Sequence, residues 1–294
     1  MADSYSAAIV TFRRPESLAT ALEGLARQDL PPTLVVVADN DPDRSAEEVV
    51  TAFGRAALMQ VEYFAMASNL GPAGGWARGV SYASTNAQRG DWIAILDDDD
   101  AVTDTGVMAR LVDQARSAGP EVAAIGLRGA RLRRRTALLT RVSAHPSLPV
   151  EADYLASGGA PIYRWSVIDR VGFFDEHLFF GFEDLELGLR LQTSGYRLLV
   201  APEVAGHVVQ DSASARTAWR EYFKTRSLIV ICRRHLGPTA LAATCMRTLV
   251  IGSLRLLVGL RRPELVAARW CGARDGLRNK LGPQGRAPTA NPAK

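Results

Sequence analysis

The sequence predicts an α/β protein: a Rossmann-like, doubly wound mixed sheet with a C-terminal helical appendage. Three observations carry that expectation. Short apolar runs alternate with helix-spaced segments over the first 120 residues or so. Two of those runs end in acidic clusters, Asp39-Asn40-Asp41 and Asp97-Asp98-Asp99-Asp100, and such sheets bind ligands at the carboxyl ends of their strands. The charge is also split. Residues 212–294 hold 16 Lys+Arg against 3 Asp+Glu, residues 1–211 hold 19 against 28, and the net charge is +4. The chain is an acidic body with a basic tail, which favours an anionic partner such as a membrane surface.

In chain order, Ser6 to Thr11 reads as a first strand and Arg13-Arg14-Pro15-Glu16 as a turn. Ser17 to Gln28 has helical spacing through Leu18, Leu22 and Leu25, and Pro31-Pro32 ends it. Leu34 to Ala38 is almost wholly apolar, as expected of a strand covered on both faces. Ser45 to Phe53 reads as a short helix and Val61 to Phe64 as a third strand. Asn69-Leu70-Gly71-Pro72-Ala73-Gly74-Gly75 is a glycine-rich loop opening a helix from about Trp76 to Asn86. Trp92 to Leu96 is too short for a helix and reads as a buried strand, with a helix near Thr105 to Ser117 after it.

Beyond Glu121 the alternation loosens. Arg128 to Arg141 carries six arginines and reads as a solvated hairpin or loop. Ala156 to Ala160 allows close approach of backbone or ligand. The aromatic-rich stretch from Arg170 ends in Glu183-Asp184, a helix follows to Thr193, and Leu198 to Val200 is a strand with His207 just past it. From Trp219 the chain reads as helical to about Leu281. Leu241 to Leu260 is apolar but carries Arg247 and Arg255, each costing about 2.5–3.5 kcal/mol at a bilayer centre. That argues against a membrane span and for an amphipathic surface helix, or for a packed helix with snorkelling arginines.

Four consecutive carboxylates at a strand end repel one another by about 1 kcal/mol per close pair even at the dielectric of water. A cation among them relieves this, and hard oxygen ligands suit Mg²⁺ or Mn²⁺. The alternative is a solvated acidic turn capping the next helix. Cys232, Cys245 and Cys271 are odd in number and widely spaced, without a CxxC pair or Cys/His ligand spacing, which argues against a disulfide framework or zinc site and fits a reduced cytosolic setting. No signal peptide is evident, and the basic tail carries no nucleic-acid recognition motif.

These pieces in this order resemble family 2 inverting glycosyltransferases of the GT-A fold, particularly bacterial rhamnosyl- and galactofuranosyltransferases. The matching residues are Ile9 to Pro15, Val36 to Asn40, Asn69 to Gly75, Asp97 to Asp99, Val171 to Asp175, Glu183 to Leu187, and His207. The resemblance implies a GT-A catalytic domain over 1–211, with a nucleotide-sugar half to about 120 and an acceptor half from about 121. A basic helical region at 212–281 and a disordered tail at 282–294 would follow. It further implies Mg²⁺ or Mn²⁺ on Asp97, Asp99 and His207, although Asp98 and Asp100 form an equally spaced pair. Thr11, Arg13, Asp39, Asn69, Gly74, Gly75 and Asp98 would bind the donor. Asp184 would be the catalytic base, with Glu183 polarising it or binding the acceptor.

The function so implied is transfer of rhamnose, galactofuranose or a similar sugar from a UDP- or dTDP-sugar to a hydroxyl of a cell-envelope glycan or polyprenyl-linked acceptor. The expected location is cytoplasmic and peripheral on the inner membrane face, held there by the basic helices. Two rivals stay open: a sugar-1-phosphate nucleotidyltransferase and a non-catalytic glycan-binding scaffold on a transferase fold. The first strand is followed by Phe12-Arg13-Arg14-Pro15-Glu16, without the glycine-rich loop usual in the nucleotidyltransferases.

Overall fold

A computed structural model of the chain describes residues 3–56, 59–145, 147–202, 208–210, 217–257 and 262–283. Strands β1 (Tyr5–Thr11), β2 (Leu34–Asp39), β3 (Gln60–Ala65) and β4 (Trp92–Asp97) are parallel and lie in the order β3-β2-β1-β4. Helices α1 (Pro15–Ala26), α2 (Glu47–Ala56) and α3 (Gly71–Ser84) connect them. Every residue of β1 and β2 is buried, because helices cover both faces. Ile9, Val35 and Leu96 pack with Leu18 and Leu22 on one face, while Ala8, Val36 and Ile95 pack with Trp76 and Val80 on the other. The period-2 pleat sorts alternate residues to opposite sides.

The sheet then becomes mixed. A short strand β5 (Asp100–Val102) follows β4, and helix α4 (Val107–Ser117) leads to β6 (Val122–Gly126). The arginine-rich segment is the predicted hairpin, β7 (Gly129–Arg133) and β8 (Leu138–Arg141), followed by β9 (Val150–Ala152), β10 (Tyr154–Leu155) and β11 (Ile162–Arg164). Helix α5 (Trp165–Val171), helix α6 (Glu183–Thr193) and strand β12 (Arg197–Val200) complete the body. Beyond β4 the sheet order is β11-β6-β12-β9, with β11 antiparallel to both β4 and β6. Strand β13 (Val208–Gln210) pairs with β5.

Register brings the strand ends to one rim: Thr11 lies opposite Asp39 and Val10 opposite Asp97. Helix α3 starts at Gly71, five residues before the expected Trp76. Gly71 has φ +70° and Pro72 occupies the first turn, where a missing N–H costs nothing. A Cβ on Gly75 would meet a Val10 methyl and the Asn40 amide nitrogen at 2.7 Å. Close packing of α3 on β1 thus outweighs the poor helix propensity of glycine.

The predicted long C-terminal helical region is several helices. Helix α7 (Ala218–Ile231) ends in a π-helical turn at Cys232–Leu236, α8 (Pro238–Met246) in another at Arg247–Ile251, and α9 (Gly252–Leu257) and α10 (Pro263–Leu277) follow. Pro238 and Pro263 each open a helix. These helices pack on the body: Ile231, Cys232 and Ala240 share a core with Leu185 and Leu189 of α6 and Leu132 and Ala137 of the hairpin. No helix among the described residues is long and apolar enough to cross a membrane. Residues 284–294 of the expected tail lie outside the described residues.

Candidate active site

The turn after β4 is held from several sides. Thr11 Oγ1 donates to Asp98 at 2.9 Å, and the Arg14 guanidinium reaches Asp98 at 3.3 Å and Asp99 at 2.9 Å. Asp100 accepts from the Asp97 backbone N–H at 3.0 Å, closing the turn, and Ser157 donates to Asp97 at 3.0 Å. Two of the four acids, Asp98 and Asp100, are therefore buried inward, while Asp97 and Asp99 stay half-buried at the rim. Burial pushes the Asp98 carboxyl up to about 6 against the pull of Arg14 and Thr11. Burial, then repulsion from Asp100, Asp99 and Asp98, pushes Asp97 well above the ordinary carboxylate range.

Asp39 is fully buried. One of its oxygens accepts from the Asp41 N–H at 2.9 Å, the other from the Ala46 N–H at 3.0 Å and the Tyr63 hydroxyl at 2.8 Å. It shapes the loop after β2. Arg13, at φ 57°, turns toward that loop and donates to Asp41 at 3.2 Å and Asp43 at 3.0 Å. Asn40 bridges to the glycine-rich segment, accepting from the Leu70 N–H at 3.0 Å and donating to the Gly71 carbonyl at 3.1 Å. Asn69 caps Gly71 N–H at 2.8 Å. Gly74 and Gly75 are buried within the first turn of α3.

Glu183 and Asp184 begin α6, directly after a segment of unusual backbone. Phe179, Gly181 and Phe182 have φ of 65°, 84° and 66°. Side chains in that region are costly and persist only where the surroundings impose them. Here α7 does so. The buried Arg226 donates to the Leu178 carbonyl at 2.9 Å, and Ser227 donates to the Phe180 carbonyl at 3.0 Å. Phe179 packs on Phe223 and Phe180 on Trp219, each with ring centroids 4.8 Å apart.

The segment delivers Asp184 half-buried and Glu183 buried, with Glu183 Oε2 lacking any hydrogen-bond partner. Burial, reinforced by the Asp184 charge, raises the Glu183 carboxyl to about 8. Burial also raises Asp184 to about 7, opposed by the N–H groups of the helix start and by Lys224. Near neutral pH the pair therefore retains a proton while Asp184 is poised to accept one, the property asked of a general base.

Arg220 stands on the first turn of α7. Its guanidinium lies 5.5 Å from the Phe180 ring and in the field of Asp97 and Asp99. The structure thus gathers Thr11, Asp97, Asp98 and Asp99 at one turn and sets Glu183 and Asp184 at the start of α6. His207 lies outside the described residues. Sequence reasoning gave no role to Arg14, Asn40, Lys224 or Arg220. Arg14 stood inside the Phe12-Arg13-Arg14-Pro15 run, while the other three act through contacts that spacing does not show.

Among the described residues no three His, Cys, Asp or Glu side chains converge, since Asp99 turns to Arg14 and Asp97 to Ser157. The donor chemistry nevertheless fits a hard cation. Two rim carboxylates in an over-acidic turn suffice for Mg²⁺ or Mn²⁺ when substrate phosphates and water complete the shell.

Comparison with known proteins now defines the class. Residues 6–148 match the family model described as Glycosyl transferase family 2, so the chain carries a family 2 glycosyltransferase domain. Among curated proteins it resembles galactofuranosyltransferase GlfT1 of Mycolicibacterium smegmatis, 33% identical over 203 residues that cover 64% of this chain and 65% of that protein. GlfT1 of Mycobacterium tuberculosis is 32% identical over 210 residues, covering 66% of each. The chain thus spans somewhat under two thirds of the first of these relatives, 65% of its length.

Solved structures share the fold. Mannosyltransferase PcManGT from Pyrobaculum calidifontis, in complex with GDP-Man and Mn²⁺, superimposes with a TM-score of 0.65 at 16% identity, covering 95% of this chain and 88% of that one. S. aureus TarS 1-349 in complex with UDP-GlcNAc gives 0.53 at 14% identity, covering 94% and 92%. The GT-A expectation holds.

Proposed function

We propose that this chain is an inverting glycosyltransferase. It moves galactofuranose, rhamnose or a similar sugar from a UDP- or dTDP-linked donor to a hydroxyl of a cell-envelope glycan or lipid-linked acceptor. One observation carries the reading: a half-buried Asp184 with its carboxyl raised to about 7, presented at the start of α6 by an imposed left-handed backbone. The curated relatives support the sugar and the envelope glycan.

In this reading residues 1–211 form the catalytic domain. Thr11, Arg13, Asp39, Asn69, Gly74, Gly75 and Asp98 build the donor wall, several of them by fixing loops rather than by facing the ligand. Asp184 takes the proton from the acceptor hydroxyl as that oxygen attacks the anomeric carbon from the face opposite the leaving diphosphate. Glu183, protonated up to about pH 8, holds the neighbouring position neutral, so that Asp184 can ionise without facing a second carboxylate. Mg²⁺ or Mn²⁺ on Asp97 and Asp99, with His207 as a third ligand, would neutralise the departing diphosphate. The inward hydrogen bonds of Asp98 and Asp100 support the Asp97/Asp99 register over its rival.

The basic helices from 212 to 281 supply a peripheral contact with the inner membrane face. The charge split supports this, and flotation with anionic liposomes tests it. Unchanged flotation of a variant carrying Arg233→Glu and Arg278→Glu would remove that contact from the proposal.

The test of the whole reading is donor hydrolysis. UDP-, dTDP- and GDP-sugars are incubated with Mg²⁺ or Mn²⁺, with EDTA, Asp99→Ala and Asp184→Ala as controls. Slow, metal-dependent release of one nucleoside diphosphate is expected. Nucleotide binding without turnover on any acceptor would favour the scaffold reading.

A further inference from the structure

Arg14 holds the acidic turn by a single nitrogen. Its Nη1 donates to Asp99 at 2.9 Å and to Asp98 at 3.3 Å, while Nε and Nη2 reach no described residue. The backbone beneath it is fixed. Arg14 precedes Pro15 at the start of α1, and its carbonyl accepts from the Leu18 N–H at 3.1 Å. The side chain itself is 49% exposed at the rim. The two carboxylates it bridges differ. Asp98 is buried and tied to Thr11 at 2.9 Å. Asp99 is half-buried, and Arg14 is its one ion-pair partner among the described residues.

Asp99 is also one of the two rim carboxylates suited to a divalent ion. The other, Asp97, is partnered by the neutral Ser157 hydroxyl, which does not oppose a cation. At Asp99 a cation is already in place. An ion bound there at about 2.1 Å faces a guanidinium across one carboxylate, and like charges so close repel. One of the two must give way. Arg14 has a long exposed stem to move on and a second anion, Asp98, to pivot on. Arg220 adds positive charge nearby: it makes no ion pair with a described residue, and Arg14, Asp99 and Asp97 all act on it.

We propose that Arg14 is an exchangeable counter-ion of the acidic turn, which yields Asp99 to the divalent ion and turns its fork onto the diphosphate of the sugar nucleotide. The inference rests on the metal-assisted transferase reading and names a ligand for its leaving group. Nε and Nη2 supply the donors, since a guanidinium fork matches two phosphate oxygens. The exchange couples two binding events. The ion alone takes from Arg14 a partner that nothing replaces; the ion with a diphosphate gives it a doubly charged one. Metal and nucleotide therefore tighten each other's binding by one common factor, and Arg14 carries part of it.

The experiment is calorimetric titration of the full chain with Mn²⁺ alone, then with UDP, dTDP and GDP in Mn²⁺ and in EDTA. Mn²⁺ should tighten binding of the preferred nucleotide by about tenfold or more, within the usual range of coupling between sites. Arg14→Gln should bind Mn²⁺ alone about threefold more tightly, the scale of a lost exposed ion pair. The same variant should bind the nucleotide in Mn²⁺ about tenfold more weakly, the scale of a lost charged hydrogen bond. Arg14→Lys keeps a charge beside Asp99 without the fork, and supplies the test should Arg14→Gln fold poorly. Its Mn²⁺ affinity should stay near that of the unsubstituted chain while its nucleotide binding weakens. Arg27→Gln, at the other end of α1, is the control and should change neither affinity.

Opposite shifts of the two affinities are what a purely structural role does not produce. Unchanged Mn²⁺ affinity in Arg14→Gln would overturn the exchange, and weakening of both affinities would reduce Arg14 to a strut of the turn. In either case, nucleotide binding that still depends on Mn²⁺ would leave the transferase reading standing without this proposal. Tighter Mn²⁺ binding by Arg14→Gln in a chain that binds none of the three nucleotides would overturn the diphosphate half, and the transferase reading with it.

Discussion

The protein holds two groups of crowded carboxylates and treats them differently. At the β4 turn, four acids are balanced by Arg14, by hydroxyls from Thr11 and Ser157, and by the Asp97 N–H. At the α6 start, Glu183 and Asp184 have no described cation within ion-pair distance, and only the field of Lys224 reaches them. In the first group, burial and the acidic neighbours raise Asp97 and Asp98 in spite of Arg14, so the turn is left short of positive charge. The second is built to keep a proton. Burial alone does not decide what a carboxylate does; the donors arranged around it do.

Four measurements sharpen or break that contrast, and the removal of the proton acceptor has the largest expected effect. Asp184→Asn should lower kcat by about 10²–10⁴-fold, the range for a lost general base, without shifting the thermal midpoint downward. A loss under tenfold would move the base elsewhere. Asp99→Ala should cost about 10²-fold, as expected when several kcal/mol of charge stabilisation is removed, and should flatten the dependence on Mg²⁺ or Mn²⁺. Retained metal dependence would shift the register to Asp98 and Asp100.

The pH profile comes next. Asp184 must be ionised to act, so activity should rise through about pH 7. Lys224→Gln should move the midpoint upward by withdrawing a nearby positive charge. A midpoint near 4 would mean an ordinary, solvated carboxylate.

The smallest effect is on stability. Glu183 binds its proton more tightly folded than unfolded, so its contribution is greatest below the ordinary glutamate range and is lost as pH rises through about 8. Glu183→Gln removes that loss. It should raise the melting temperature at pH 8 by about 2–4 °C for each kcal/mol regained and do little at pH 4. Equal midpoints at both pH values would show that Glu183 is not held against ionisation.

Much of the frame was legible because strands β1 to β4 follow simple patterns. Apolar runs covered on both faces ended at Asp39 and Asp97, and register places those ends on one rim. The start of α3 was misplaced because propensity speaks against glycine in a helix, while the contact between Gly75 and Val10 is invisible in local sequence. The breaks at Gly237-Pro238 and Arg262-Pro263 were legible as turn signals and were outweighed by the apolar composition around them. The support of the segment before Asp184 was not legible at all. Arg226 and Leu178 are 48 residues apart in sequence, and Lys224 and Arg220 sat in a stretch read as tail.

Arg226 has a consequence for anyone recombining such enzymes. Its guanidinium also donates to the Gly282 carbonyl at 2.7 Å, so one side chain ties the segment before Asp184 to the chain just past the last helix. A cut near residue 212, convenient on paper, would leave Leu178, Phe180 and the backbone before Asp184 without their struts. Chimeras must therefore move residues 176–184 together with α7 to α10, as one cassette.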